Sequence, residues 1–257
     1  MQEVLFDTHT HYDEERYDGD RFETITQAHE KGIDYIVNVS NCMKTSHESV
    51  ELADRFSFIY AATGIHPYYA NEMNENNLTC IRELSSGKKV VAIGEIGLDY
   101  YNVFYSKLIQ KECFAMQIDL ARQMHLPIMV HDRDAHQDVF DMLVSNDARD
   151  VGGIIHSYSG SVEMAGKFMN LGFFISFAGP ITYLNARKII DVVQYVPLDR
   201  LLIETDCPDL SPVPFRGIRN DSSRLWLIAE KVAAIKGISL QEVAEATTTN
   251  AKRLFKI

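Results

Sequence analysis

Val4-Leu5-Phe6-Asp7-Thr8-His9-Thr10-His11 is an apolar run with aromatic and β-branched residues that closes on two histidines at positions i and i+2. Such a run reads as a buried strand. Side chains on a strand alternate faces, so His9 and His11 point the same way. Two imidazoles on one face at the end of a buried strand are a pair of candidate metal ligands. Taken alone, two loop histidines at the surface would explain them equally well. Four later strands end in the same kind of residue, and that repetition decides the reading.

Working outward, the strand pattern recurs at 32–39, 58–62, 89–95, 127–131, 153–156, 173–176 and 200–204. Continuous apolar runs of this kind suit parallel strands covered on both faces. Helical periodicity lies between them. Ile109, Cys113, Met116 and Leu120 form one predicted apolar stripe, and Leu225, Ile228, Ala229 and Val232 another. Ser239 followed by Glu242 is a capping-box signature that starts a further helix. Eight strands alternating with helices predict a single α/β domain over residues 1–257, a closed (β/α)8 TIM barrel. An open doubly wound sheet is the competing architecture, but no glycine-rich dinucleotide fingerprint follows an early strand.

Bulk composition narrows the function classes. The chain has 257 residues, 46% hydrophobic and 24% charged, enough for a substantial core. Cys42, Cys80, Cys113 and Cys207 are scattered without a CxxC, which points to a reducing compartment and away from a disulfide framework. No leader pattern precedes the first strand, and the longest uncharged window, 168–186, is broken by Gly179-Pro180, so a cytoplasmic protein without a membrane span is expected. The formal net charge of −11 argues against passive coating of nucleic acid, although not against a small cationic cleft.

In parallel barrels reactive groups collect where strands end. Those ends carry His9 and His11, His66, Glu95, His131, His156 and Asp206. The first and last strands of a closed barrel are neighbours, so His9, His11 and Asp206 can share one cation. The fifth and sixth are also neighbours, so His131 and His156 can share another, with Glu95 bridging the two through its two oxygens. Two divalent ions against two carboxylates leave the centre near +2, suited to an anionic substrate.

These residues, with Gly64-Ile65-His66-Pro67, Gly94-Glu95-Ile96-Gly97-Leu98-Asp99-Tyr100, His131-Asp132-Arg133-Asp134-Ala135 and Glu204-Thr205-Asp206-Cys207-Pro208, resemble the TatD-like metal-dependent hydrolases, part of the amidohydrolase group of barrels. The likeness runs to Arg216-Gly217-Ile218-Arg219-Asn220 and the closing Asn250-Ala251-Lys252-Arg253-Leu254-Phe255. It implies a metal-dependent deoxyribonuclease or phosphodiesterase, a 3′-to-5′ exonuclease on DNA or RNA ends, with ligands at His9, His11, Glu95, His131, His156 and Asp206. Two departures bear on substrate choice: Tyr68 stands where relatives commonly have a second histidine, and Ser157-Tyr158 replaces a Cys-Phe pair.

Asp206 is the candidate for ligand and proton acceptor, with Glu95 as the other catalytic carboxylate. Glu204 reads as a buried group supporting a ligand. His66, held extended by Pro67, is a candidate substrate-phosphate contact, as are the guanidinium groups of Arg133, Arg216 and Arg219. Asp99 either orients a ligand or caps a turn, and Tyr100 and Tyr101 either pack or stack a terminal base. The donor set admits magnesium, manganese or zinc. The expected partner is a nucleic-acid end, with no membrane and no obligate protein partner. Two other readings stand beside the nuclease. One is ester, amide or lactone hydrolysis, including deacylation of D-aminoacyl-tRNA; the other is a non-enzymatic, metal-stabilised scaffold.

Overall fold

A computed structural model describes residues 4–257. Eight strands make one parallel sheet in chain order: β1 (Leu5–Thr10), β2 (Ile33–Val39), β3 (Ile59–Thr63), β4 (Val90–Asp99), β5 (Ile128–Arg133), β6 (Gly153–Ile155), β7 (Phe173–Phe177) and β8 (Leu201–Ile203). The helices α1 (Arg21–Glu30), α2 (Met43–Arg55), α3 (Glu75–Ser85), α4 (Lys107–Met124), α5 (His136–Ser145), α6 (Val162–Asn170), α7 (Arg187–Tyr195), α8 (Leu225–Lys236) and α9 (Leu240–Phe255) alternate with them. The architecture is the expected TIM barrel. Among the described residues no helix is long and apolar enough to cross a membrane.

Each strand contributes to an apolar plug that includes Phe6, Val37, Met129, Ile154, Phe174 and Leu202. From α9, Ala251 and Phe255 join this plug, with the Phe255 ring 5.7 Å from that of Phe6. That end of the barrel is therefore filled with hydrocarbon, and polar side chains can gather only at the opposite end. The Ser239–Glu242 capping box forms as expected at the start of α9.

Three expectations about the elements need correction. First, β4 continues four residues past Glu95, and β5 continues past His131, so these two residues lie inside strands. Glycine makes this possible. At Gly97, with φ +147°, a Cβ would sit 2.0 Å from the carbonyl oxygen of His131, so only glycine lets β4 run this close to β5. Second, β8 stops at Ile203, which leaves Glu204 and Asp206 in the following loop. Third, of the expected α4 stripe Cys113 and Leu120 are buried, together with Gln110, Phe114, Gln117, Ile118 and Ala121, whereas Ile109 is exposed and Met116 half-buried. The Leu225 stripe of α8 is buried as predicted.

The barrel closes differently at its last seam. Between β8 and β1 the backbone makes one bridge, Thr10 to Cys207, with His11 N donating to Cys207 O (2.8 Å) and Asp206 N to His9 O (3.0 Å). Side chains do the rest. Both oxygens of buried Asp7 accept from Thr205, from its N–H at 2.9 Å and its hydroxyl at 2.6 Å. Thr8 donates its hydroxyl to Ile203 O at 3.2 Å. Burial pushes the Asp7 carboxyl up to about 7.

Candidate metal centre

The strand-end residues meet at the open end of the barrel, around Glu95. Its two oxygens face different partners. Oε2 lies 3.3 Å from His9 Nε2 and 3.5 Å from His11 Nε2. Oε1 lies 2.7 Å from both His131 Nδ1 and His156 Nε2. Asp206 Oδ1 completes the first side at 3.5 Å from His11 Nε2 and 3.9 Å from His9 Nε2. Asp206 sits in the left-handed region, φ +54°, a conformation Asp tolerates better than β-branched residues do.

His11 and His131 are aimed by what the other ring nitrogen bonds, and His156 by a nearby carboxylate, whereas His9 Nδ1 is buried without a hydrogen-bond partner. His11 Nδ1 donates to the carbonyl of Val39 at 2.7 Å, which turns Nε2 inward. His131 is oriented through Asp99: its Nε2 donates to Asp99 Oδ2 at 3.0 Å, so Nδ1 faces Glu95. His156 Nδ1 stands 3.4 Å from Glu204, whose carboxylate is fixed by Ser157 N (2.6 Å) and the Ser176 hydroxyl (2.5 Å). This is the carboxylate–histidine support typical of metal ligands. Asp99 serves in both of the ways the sequence suggested, because its Oδ1 also accepts from the backbone N–H groups of Tyr101 and Asn102.

His66 is oriented the opposite way. Tyr68 N–H donates to its Nδ1 at 3.1 Å, so a neutral ring carries its proton on Nε2, which points toward Glu95 Oε1 at 3.6 Å. Burial, aided by the charge of His131, lowers His66 to about 3 and keeps the ring neutral. It therefore offers a hydrogen to the centre, whereas His11, with Nδ1 on a carbonyl, and His131, with Nε2 on Asp99, would each offer a lone pair there once the inward nitrogen gives up its proton.

The electrostatics ask for positive charge. Burial opposes ionisation of Asp206, yet the His11 hydrogen bond and neighbouring imidazoles hold it at about 2. Burial likewise opposes ionisation of Glu95, and the charge of His156 with the hydrogen bond to His131 holds it well below the carboxylate range. Against their own desolvation, His11 is raised to about 10 by Asp206 and Glu95, and His131 and His156 are raised by their carboxylate partners. His9 moves down, through burial and the charge of His156. Protons thus supply in part what cations would supply fully. His9 with His11 and Asp206, and Glu95 with His9 and His156 or with His66 and His131, each bring three donor atoms within 4.8 Å of one another. The donor set fits divalent metal.

A cleft of about 970 Å³ opens over this cluster, lined by His131, His156, Asp206, Arg133, Arg187 and Tyr183 among others. The candidate phosphate contacts are placed unequally. Arg133 lines the cleft with its guanidinium 4.5 Å over the ring of exposed Tyr101. Arg216 lies 4.4 Å over Tyr183. Arg219 is turned away: it grips Asp20 through both terminal nitrogens (2.8 and 2.5 Å), which corrects its reading as a phosphate clamp. Tyr100 donates to Asp138 and packs under Lys107, leaving Tyr101 alone as a stacking surface. Arg187 and Lys188, both on the cleft, were missed because α7 carries them without any motif. At the variant positions, Tyr68 donates to Asp99 Oδ2 at 2.9 Å, and Ser157 supplies the N–H that fixes Glu204.

Comparisons with known proteins agree with this geometry. Residues 6–256 match the family described as TatD related DNase. The chain is 48% identical over 254 residues to the uncharacterized metal-dependent hydrolase YabD of Bacillus subtilis, covering 99% of this chain and 100% of that one. It is 36% identical to the uncharacterized metal-dependent hydrolase YcfH of Escherichia coli K12, covering 98% and 96%. The crystal structure of YjjV, a TatD homologue from Escherichia coli K12, superposes with a TM-score of 0.92 at 30% identity, covering 98% of each chain. The chain belongs to the TatD family of metal-dependent hydrolases.

Proposed function

We propose that this chain is a two-metal phosphodiesterase that removes nucleotides from nucleic-acid ends, most simply as a 3′-to-5′ exonuclease on DNA or RNA. The observation that carries the reading is the division of Glu95, one oxygen toward His9 and His11 and the other toward His131 and His156. His9, His11 and Asp206 would hold one divalent ion and His131 and His156 the second, with Glu95 between them. Bound there, such ions would supply charge neutralisation for a phosphate and acidify a water.

The chain's own groups divide the remaining work. Asp206, ionised and facing the cleft, accepts the proton of the attacking water. His66 donates its Nε2 hydrogen to a phosphate oxygen as negative charge builds there. Arg133 and Arg216 hold flanking phosphates, and Tyr101 offers a face for the terminal base.

The test reloads metal-depleted protein with magnesium, manganese or zinc. It then offers end-labelled single-stranded DNA, D-aminoacyl-tRNA and a p-nitrophenyl ester. Stepwise shortening of DNA from the 3′ end is expected, lost with chelator and in Asp206→Asn. Rapid ester or aminoacyl turnover with intact DNA would instead place the chain among the ester- and amide-cleaving amidohydrolases. Inertness toward all three with metal bound would leave a scaffold.

A further inference from the structure

α4 carries two fully buried glutamines seven residues apart, Gln110 and Gln117, which lie two turns along one face of the helix. Each side-chain amide makes the same bond pattern. Gln117 accepts the N–H of Ile65 at 2.7 Å and donates to the carbonyl of the same residue at 2.9 Å. Gln110 accepts the N–H of Asp99 at 2.9 Å and donates to the carbonyl of Asp99 at 3.0 Å. The remaining donor capacity goes to Cys113 O (3.3 Å) and Tyr105 O (3.1 Å).

An amide that takes both polar groups of one extended residue replaces a missing strand neighbour. The residues gripped are not arbitrary. Ile65 immediately precedes His66. Asp99 is the carboxylate that holds His131 at 3.0 Å. The two rings so controlled are 4.3 Å apart and both face Glu95 Oε1.

We infer that Gln110 and Gln117 are positioning residues with separate duties, Gln110 setting His131 through Asp99, and Gln117 setting His66 through Ile65. One helix thereby fixes the spacing between a metal ligand and a substrate-facing hydrogen donor. The assignment rests on the reading of His131 and His66 given above. A merely structural role would make the two glutamines equivalent; the positioning role makes them different.

The experiment compares Gln110→Met and Gln117→Met, which keep length and remove every hydrogen bond of the side-chain amide. Manganese binding to metal-depleted protein is measured by calorimetry, kcat and KM on end-labelled single-stranded DNA, and Tm by scanning calorimetry. Both variants lose Tm. Q110M weakens one manganese site by roughly 10-fold, the lower part of the range for groups that support metal ligands. Q117M keeps manganese affinity within about twofold and lowers kcat/KM by roughly 10-fold, as expected for a misplaced hydrogen donor. Equal Tm losses with the same binding and kinetic profile in both variants would overturn the inference.

His131→Ala separates this from the metal centre itself. Weaker manganese binding in H131A with unchanged binding in Q110M removes the Gln110 role and leaves the centre standing; unchanged binding in both removes both. Should the Met variants fail to fold, amide exchange in the unaltered protein decides. Binding and clamping are reciprocally linked. Magnesium loading therefore protects the Asp99 N–H further and leaves the Ile65 N–H unchanged, and equal protection of the two refutes the division of duties.

Discussion

The β4–β5 seam and the β8–β1 seam both deliver site residues, but by different means. At β4–β5 the pairing runs from Ile93–Ile128 out to Asp99–Arg133 and carries His131 opposite Gly97, while Glu95 sits at the irregularity between Ile93 and Ile96 with its N–H bonded to Ser40 O at 2.8 Å. At β8–β1 one backbone bridge is supplemented by Asp7, Thr8 and Thr205 side chains, and Asp206 sits beyond the strand in a left-handed turn. A ladder fixes a side chain through repeated backbone bonds. Side-chain stitching fixes it through a few groups that single substitutions can delete. Position is therefore redundant at His131 and concentrated in a few atoms at Asp206.

The largest effect is expected where the ladder itself is forced apart. Gly97→Ala puts a methyl group 2.0 Å from His131 O at a positive φ, and it should cost about 4 kcal/mol or more, or prevent folding. Urea unfolding at equal loss for a control such as Gly19→Ala, which meets nothing nearby, would contradict this. Next comes Asp7→Ala, which strands the N–H and hydroxyl of Thr205 in a buried seam. Two unsatisfied donors at ~1–3 kcal/mol each give a loss of about 3 kcal/mol. The same variant should lower metal affinity on the Asp206 side more than on the His131 side, a difference that titration calorimetry reads directly.

Thr8→Val removes one hydroxyl-to-carbonyl bond and should cost about 1 kcal/mol in denaturant unfolding. If it matches Asp7→Ala, the seam does not depend on Asp7. The smallest effect belongs to His136, which Asp132 of β5 raises above its ordinary value through a 2.8 Å hydrogen bond. A raised histidine contributes its stability in full below its unfolded value, near 6.5, and loses it as pH rises through the higher folded value. His136 contributes a small share of the stability that the metal-free protein loses over that rise, beside the larger shares of His11, His131 and His156, and His136→Gln should remove only its own share without touching the β8–β1 seam.

Much of this was legible in the sequence because burial and chemistry left coincident marks. Apolar runs ending in His or Asp announced the barrel, and the residues at their ends come together around Glu95. What escaped notice was polar residues working inside. Gln110 and Gln117 occupy the buried stripe of α4, but a count of apolar letters shifts that stripe to Ile109 and Met116. Hydrophobic periodicity cannot see an amide whose partners are backbone groups of another element. The extension of β4 past residue 95 was hidden for a related reason: a glycine such as Gly97 weakens a strand pattern, and its use here is close strand approach. Arg219 shows the converse. An arginine in a recognisable motif looked available, and Asp20, 199 residues earlier, had already taken it.

The seam between β8 and β1 also sets an order of events during synthesis. His9 and His11 emerge from the ribosome well before Asp206, and the Asp7–Thr205 pair that brings Asp206 beside them spans 198 positions. Domains of this size form their long-range pairings only after both partners exist. A nascent chain halted within β7 would therefore lack Asp206, and the cluster of carboxylates and imidazoles around Glu95 is completed only in a chain that has emerged as far as that residue.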